Sequence, residues 1–164
     1  MDSRELVNVI AAALTSVTDP HYYEDERGFQ GEFYAQLRLR LRDMALPEGA
    51  LLREECQKRL AEHGLRIRPD IILHEPFDPR RHRGRDEGNH AVMELKRRAT
   101  PRTAADAFTN LVAMIDALNY PLGVFINIDS PKTWAESVPE AQRSRIVCLA
   151  AHLDENGQPL VFRG

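Results

Sequence analysis

His90-Ala91-Val92-Met93-Glu94-Leu95-Lys96-Arg97-Arg98 and Leu122-Gly123-Val124-Phe125-Ile126-Asn127-Ile128 are the stretches whose reading decides the fold. The first alternates, with Val92, Glu94 and Lys96 on one face and Met93 and Leu95 on the other, which is the period of a β-strand. The second is almost wholly apolar, the composition of a strand buried on both faces of an α/β sheet. Between them Ala107, Phe108, Leu111, Met114, Ile115 and Leu118 recur at helical spacing. That helix is expected to open near Thr103, with Pro101 just ahead and Asp106 three residues on. Strand, helix and strand in this order belong to a mixed sheet flanked by helices.

Working outward, Leu65 to His74 carries Ile67, Ile71, Ile72 and Leu73, a buried-strand composition in which Pro69 implies a bulge or an edge. Pro76 to Asn89 is rich in Pro, Gly, Arg and Asp and reads as an exposed loop. Leu51 to Leu60 is ambiguous: Leu52, Cys56 and Leu60 keep helical spacing, whereas Leu51 to Gln57 equally suits a strand. Nearer the N-terminus, Leu6, Val7, Ile10, Ala11 and Leu14 predict a helix from Ser3 to Leu14 with Ser3 as its N-cap. Phe29, Phe33, Leu37 and Leu41 predict a second, longer helix ended by Pro47. Arg38, Arg40 and Arg42, interleaved with leucines, then spread around that helix as surface charge balanced by Asp43 and Glu48.

Downstream, Ser130-Pro131 is expected to open a short polar helix. Arg145 to Leu153, an Asn156-Gly157 turn and Leu160 to Phe162 predict a C-terminal β-hairpin. The fold class read from these elements is α/β, a mixed central sheet flanked by helices.

At 164 residues the chain is expected to be a single domain, 1–164, with one core. Hydrophobic residues at 43% and charged residues at 29% exclude a disordered chain. No apolar run approaches the length of a membrane span, and the Met1-Asp2-Ser3-Arg4-Glu5 start lacks the apolar core of a signal peptide, so a cytoplasmic protein with no membrane partner is expected. Cys56 and Cys148 are far apart and outside any CxxC pattern, which speaks against zinc and against a disulfide framework. Net charge is only −3, but all the basic residues except Lys58, Lys96 and Lys132 are arginines. Arginine is the side chain that grips phosphate in a bidentate fork. Residues 80–102 hold eight basic residues against three acids, which predicts a phosphate-binding surface made of Arg80, Arg81, Arg83, Arg85, Arg97 and Arg98 beside the chemistry described next.

Asp70, in Arg68-Pro69-Asp70-Ile71-Ile72, and Glu94 with Lys96 stand inside otherwise apolar strands. A charge there costs several kcal/mol unless it is paired or holds a metal. Mg²⁺ is commonly held by one or two carboxylates together with waters and substrate phosphate oxygens. A lysine two residues after a carboxylate on a strand shares its face and can neutralise charge beside such an ion. An acid-x-Lys triplet alone is unspecific. Here it lies on a strand, follows a Pro-Asp strand start by 24 residues and is preceded by Glu32 on a helix.

That ordered combination resembles the PD-(D/E)xK nuclease superfamily, with Pro69-Asp70 and Glu94-Leu95-Lys96 as the two halves of its motif, over roughly Gly28 to Ile128. The resemblance implies a restriction-endonuclease-like core of helix, three-stranded meander, helix and strand, which makes Leu51 to Gln57 the first strand. It implies Mg²⁺ (or Mn²⁺) bound by Asp70, Glu94 and the Leu95 carbonyl. Lys96 would position or activate the attacking water, and Glu32 would be an outer or second-metal ligand. The activity expected is a metal-dependent endonuclease hydrolysing phosphodiester bonds in DNA, working alone, as a homodimer or with an operon-encoded partner. The alternatives are a catalytically inactive nucleic-acid-binding or structural module of the same fold, and an RNA-directed or defence nuclease. No histidine pair has metal-ligand spacing and no serine has a partnering His and Asp.

Overall fold

The computed structural model describes residues 2–54 and 67–164. The expectations that fall on Glu55 to Gln57, on Cys56 and Leu60, and on Leu65 lie outside the described residues.

Helix α1 runs from Ser3 to Leu14 and buries Leu6, Val7, Ile10, Ala13 and Leu14. Its cap is Asp2, one residue before the expected Ser3: Asp2 has extended backbone and its carboxylate accepts the Arg4 N–H. Helix α2 runs from Glu26 to Leu41 with Asp25 as cap, accepting the Gly28 N–H, and buries Phe29, Phe33, Leu37 and Leu41. The helical stripe thus prevails over the Leu/Arg alternation of 37–42, because it is the stripe that can be buried against the sheet.

Among the described residues six strands, β1 (Leu51–Glu54), β2 (Ile71–His74), β3 (Asn89–Arg97), β4 (Gly123–Ile128), β5 (Ile146–Leu153) and β6 (Pro159–Arg163), form one sheet in sequence order. β1, β2 and β3 are an antiparallel meander. β3, β4 and β5 are parallel, and β6 returns antiparallel as the C-terminal hairpin. The β3-to-β4 crossover is α3 (Pro101–Leu118).

The buried apolar residues lie in two layers, one on each face of this sheet. α1 and α2 pack on the face carrying Ile71, Leu73, Met93, Leu95, Val124 and Ile126. α3 packs on the face carrying Ile72, Val92, Phe125 and Cys148. β4 is buried along its whole length because both its faces are covered. Gly123 lies where a Cβ would come within 2.9 Å of the Ile115 side chain, so its missing side chain admits α3 onto the strand.

Other expectations move too, among them the end of α2, which falls at Leu41 and short of Pro47. α3 is capped by Thr100, whose hydroxyl accepts the Thr103 N–H while Thr103 Oγ1 accepts the Thr100 N–H. Thr103 is therefore the far half of a capping box and not the helix start. Thr100→Ala is expected to cost about 1 kcal/mol, read as a shift in the urea midpoint at constant m-value. The polar helix expected at Ser130-Pro131 does not form. Asn127 Nδ2 holds the Lys132 carbonyl, Trp134 sits at φ 62, outside helical space, and the segment makes only short 3-10 turns at Ala135–Ser137 and Glu140–Gln142.

Candidate active site

The antiparallel register pairs Ile71 with Met93, which sets Asp70, one residue before β2, beside Glu94 and Leu95 of β3. Asp70 Oδ2 accepts the Leu95 N–H at 2.7 Å, fixing the carboxylate against the strand. Lys96, two residues after Glu94 on the same face, brings Nζ to 3.8 Å from Asp70 Oδ2 and 3.9 Å from Glu94 Oε2, and donates to the Leu95 carbonyl at 2.6 Å. Asp70, Glu94, Leu95 and Lys96, named from sequence, are thus brought together. The group sits at the carboxyl end of β3, next to the carboxyl end of β4, where open α/β sheets place their ligands.

The cluster holds an acid that the sequence reading missed. Glu26, the first residue of α2, approaches Lys96 Nζ at 3.6 Å and accepts the Arg97 N–H at 2.9 Å. Gln30, one helical turn later on the same face, donates to the Asp70 carbonyl at 3.3 Å. Glu32 lies about 200° around the helix from Gln30 and does not reach Lys96; its carboxylate instead accepts a hydrogen bond from Gln36. The available signal was the Asp25-Glu26 pair at the helix start, since an acid in the first turn belongs where the chain enters the sheet end.

Glu94 is the electrostatic centre of the site. It is 3% exposed, and its Oε1 has no hydrogen-bond partner among the described residues. Burial, reinforced by the neighbouring Asp70 charge, pushes its carboxyl up to about 8, while Lys96 and the side-chain amide of Asn110 on α3 act the other way. At neutral pH this side chain therefore carries a proton, and one lysine faces the charges of Asp70 and Glu26.

Of the arginines, Arg97 and Arg98 lie at this end of β3, but both guanidinium groups bind Asp129 Oδ2 at 2.8 Å, and Arg97 Nε also donates to the Tyr23 carbonyl. They brace the ends of β3 and β4. The 75–88 loop is not beside the cluster as expected. β2 leads from Asp70 to the loop, and at the strand rise Glu75 lies about 17 Å away, at the opposite end of the strands. Within the loop Arg81 donates to Glu75 Oε2 and to the Glu48 carbonyl, Arg85 stacks on Phe77, and Arg80 and Arg83 are exposed.

Among the described residues no group of three or more His, Cys, Asp or Glu side chains is gathered to hold a metal ion. Cys148 is a buried thiol raised by burial to about 12, too high for a nucleophile at neutral pH. Comparison with known proteins finds no matching family model, no matching curated protein and no matching solved structure.

Proposed function

We propose that the protein is a metal-dependent phosphodiesterase of the PD-(D/E)xK type, an endonuclease acting on DNA. The observation that carries this reading is the convergence of Asp70, Glu94 and Lys96 at one strand end, with Glu94 buried and its Oε1 unpartnered among the described residues. The order α2, antiparallel β1–β2–β3, α3, parallel β4 supports a restriction-endonuclease-like core.

The donor set suits Mg²⁺ or Mn²⁺. Two hard carboxylates and a backbone carbonyl are what such an ion takes from a protein, with waters and phosphate oxygens completing the shell, and an orphaned buried oxygen is a lone pair in need of a cation. Asp70, Glu94 and the Leu95 carbonyl would hold the ion, and when bound it supplies positive charge beside the scissile phosphate. Glu94 would release its carboxyl proton to solvent water on taking up that role. The Asp70 carboxylate is already aimed by the Leu95 N–H. Lys96 Nζ, which now rests on the Leu95 carbonyl, is free to swing its donors toward a water or a phosphate oxygen. Glu26 Oε1, 3.6 Å from Lys96 Nζ, offers the ammonium a second carboxylate partner at the edge of the cluster.

Incubating the protein with supercoiled plasmid, with Mg²⁺ or Mn²⁺ and with excess EDTA, tests the reading. Nicking that needs the ion and is lost in Glu94→Gln is expected, and metal-independent or absent cleavage of duplex, single-stranded and branched substrates overturns it. The rival, a binding module without catalysis, keeps DNA binding in that same assay without cleavage.

In this reading Arg80 and Arg83, exposed on the 75–88 loop, contact duplex phosphates at a distance from the scissile bond. Replacing them by serine is expected to lower the log–log salt slope of duplex binding by roughly 0.9 for each lost contact, whatever the DNA sequence. Arg81 and Arg85 are left in place because they tie the loop to Glu75 and Phe77. An unchanged slope returns the loop to plain solvent-exposed surface.

A further inference from the structure

A groove of about 800 Å³ runs between the C-terminal half of α2 and the edge strand β1. Arg38 and Arg42, one turn apart on α2, and Arg53 of β1 all line it. None of the three guanidinium groups makes an ion pair or hydrogen bond among the described residues. Arg40, between Arg38 and Arg42 in sequence, faces away and donates to Ser16 Oγ at 2.5 Å. The arginines read as evenly spread surface charge in the sequence are thus sorted by the helix, two into the groove and one out of it.

Beneath the arginines, Leu41, Leu46, Leu51 and Leu52 contribute apolar surface, and Leu51 is 49% exposed. Tyr34 also lines the groove, its hydroxyl donating to the Leu52 carbonyl at 2.8 Å. Glu54, at the end of β1, lines both this groove and a smaller recess of about 310 Å³ shared with Arg27, Gln30 and Arg68. Gln30 holds the Asp70 carbonyl, and Glu54 pairs with Ile71, so the groove leads by way of the recess to the Asp70–Glu94–Lys96 cluster.

We propose that this groove binds the backbone of single-stranded nucleic acid, as the track along which a substrate strand reaches the cluster. Guanidinium groups without an ion pair among the described residues, over an apolar floor with one aromatic ring, are the composition of a single-strand site: cations take the phosphates, and the floor and ring take base faces without reading sequence. An added peptide strand fits less well, because the Tyr34 hydroxyl already occupies a carbonyl of β1. The proposal rests on the reading of the protein as one that acts on nucleic acid, and it names the strandedness of the substrate.

The test is fluorescence anisotropy with a labelled oligothymidylate about 20 nucleotides long, several contact lengths, in EDTA so that cleavage plays no part. Arg38→Gln, Arg42→Gln and Arg53→Gln combined are expected to weaken binding roughly tenfold or more and to lower the salt slope by about 2, at ~0.7 per single-strand contact. Arg40→Gln, on the opposite side of the helix, is expected to bind as wild type. The three groove arginines are exposed, and equal thermal melting of all variants shows that folding is unaffected. Wild-type binding by the triple variant overturns the groove, even if plasmid cleavage is found. Equal losses in the triple variant and in Arg40→Gln overturn it too, since bulk charge would then explain both. Binding lost only in the triple variant, in a protein that cleaves nothing, upholds the groove and refutes the nuclease.

Discussion

Glu94→Gln is expected to make the metal-free protein more stable than wild type at pH 8, by on the order of 4 kcal/mol, while leaving it equally stable near pH 4. The Glu94 carboxyl is raised to about 8 in the fold from an ordinary value of 4.5. A carboxyl raised in this way contributes its full stability below the unfolded value, where both states are protonated. That contribution is lost as pH climbs toward the folded value, because the unfolded chain ionises freely and the buried group does not. Glutamine imitates the protonated form at every pH, so the gap between variant and wild type opens from about pH 4.5 and approaches its limit above 8. Urea titrations at a series of pH values in EDTA measure it. Parallel curves for the two proteins would mean that Glu94 is not held neutral in the fold.

The same substitution, and Asp70→Asn with it, is expected to abolish metal-dependent cleavage and to weaken Mn²⁺ binding in calorimetry. Wild-type binding should release a proton near neutral pH as Glu94 ionises, and Glu94→Gln should not. Unchanged Mn²⁺ affinity in both variants would remove these two carboxylates from the metal site.

Under the proposed function, Lys96→Met is expected to lower the cleavage rate by roughly 10²-fold or more while changing nucleic-acid affinity only slightly, because the ammonium would act on charge that develops during the reaction and not on the bound strand. A second consequence separates this from a packing defect. Lys96 lies within 4 Å of Glu26, Asp70 and Glu94 and opposes the upward shift of Glu94, so its loss should carry the Glu94 titration still higher. The pH-dependent loss of stability in the variant should then begin at the same pH as in wild type, near 4.5, and continue to a higher pH before it levels off. Near wild-type turnover would leave Lys96 as a structural counter-ion alone.

The sheet is legible in the sequence because its strands differ in how they are buried. β4, covered on both faces, reads as an unbroken apolar run, and the Val92/Glu94/Lys96 alternation of β3 marks which side chains share a face. That alternation is enough to put Glu94 and Lys96 side by side, and the Pro69-Asp70 strand start supplies the opposing carboxylate. β1 is beyond periodicity: its four residues are mostly exposed at the sheet edge, so no apolar alternation marks them. The sequence points to Glu32 where the fold uses Glu26, because chain order fixes which helix supplies an acid but not which turn of that helix meets the sheet.

Local pattern determines a face, a period and a cap, since these depend on neighbours within a few residues. By itself the sequence therefore determined the α/β class, the amphipathic helix between β3 and β4, the C-terminal hairpin and the shared face of Glu94 and Lys96. What depends on register and on helix phase against the sheet was decided only by the tertiary structure. It placed Asp70 beside Leu95, turned Glu26 and Gln30 inward and sent the arginine loop to the far end of the strands. It also tied Arg97 and Arg98 to Asp129 and divided Arg38 and Arg42 from Arg40. Each of these sets the distance between groups remote in sequence, and that distance is fixed by how strands pair and helices pack, which no local pattern contains.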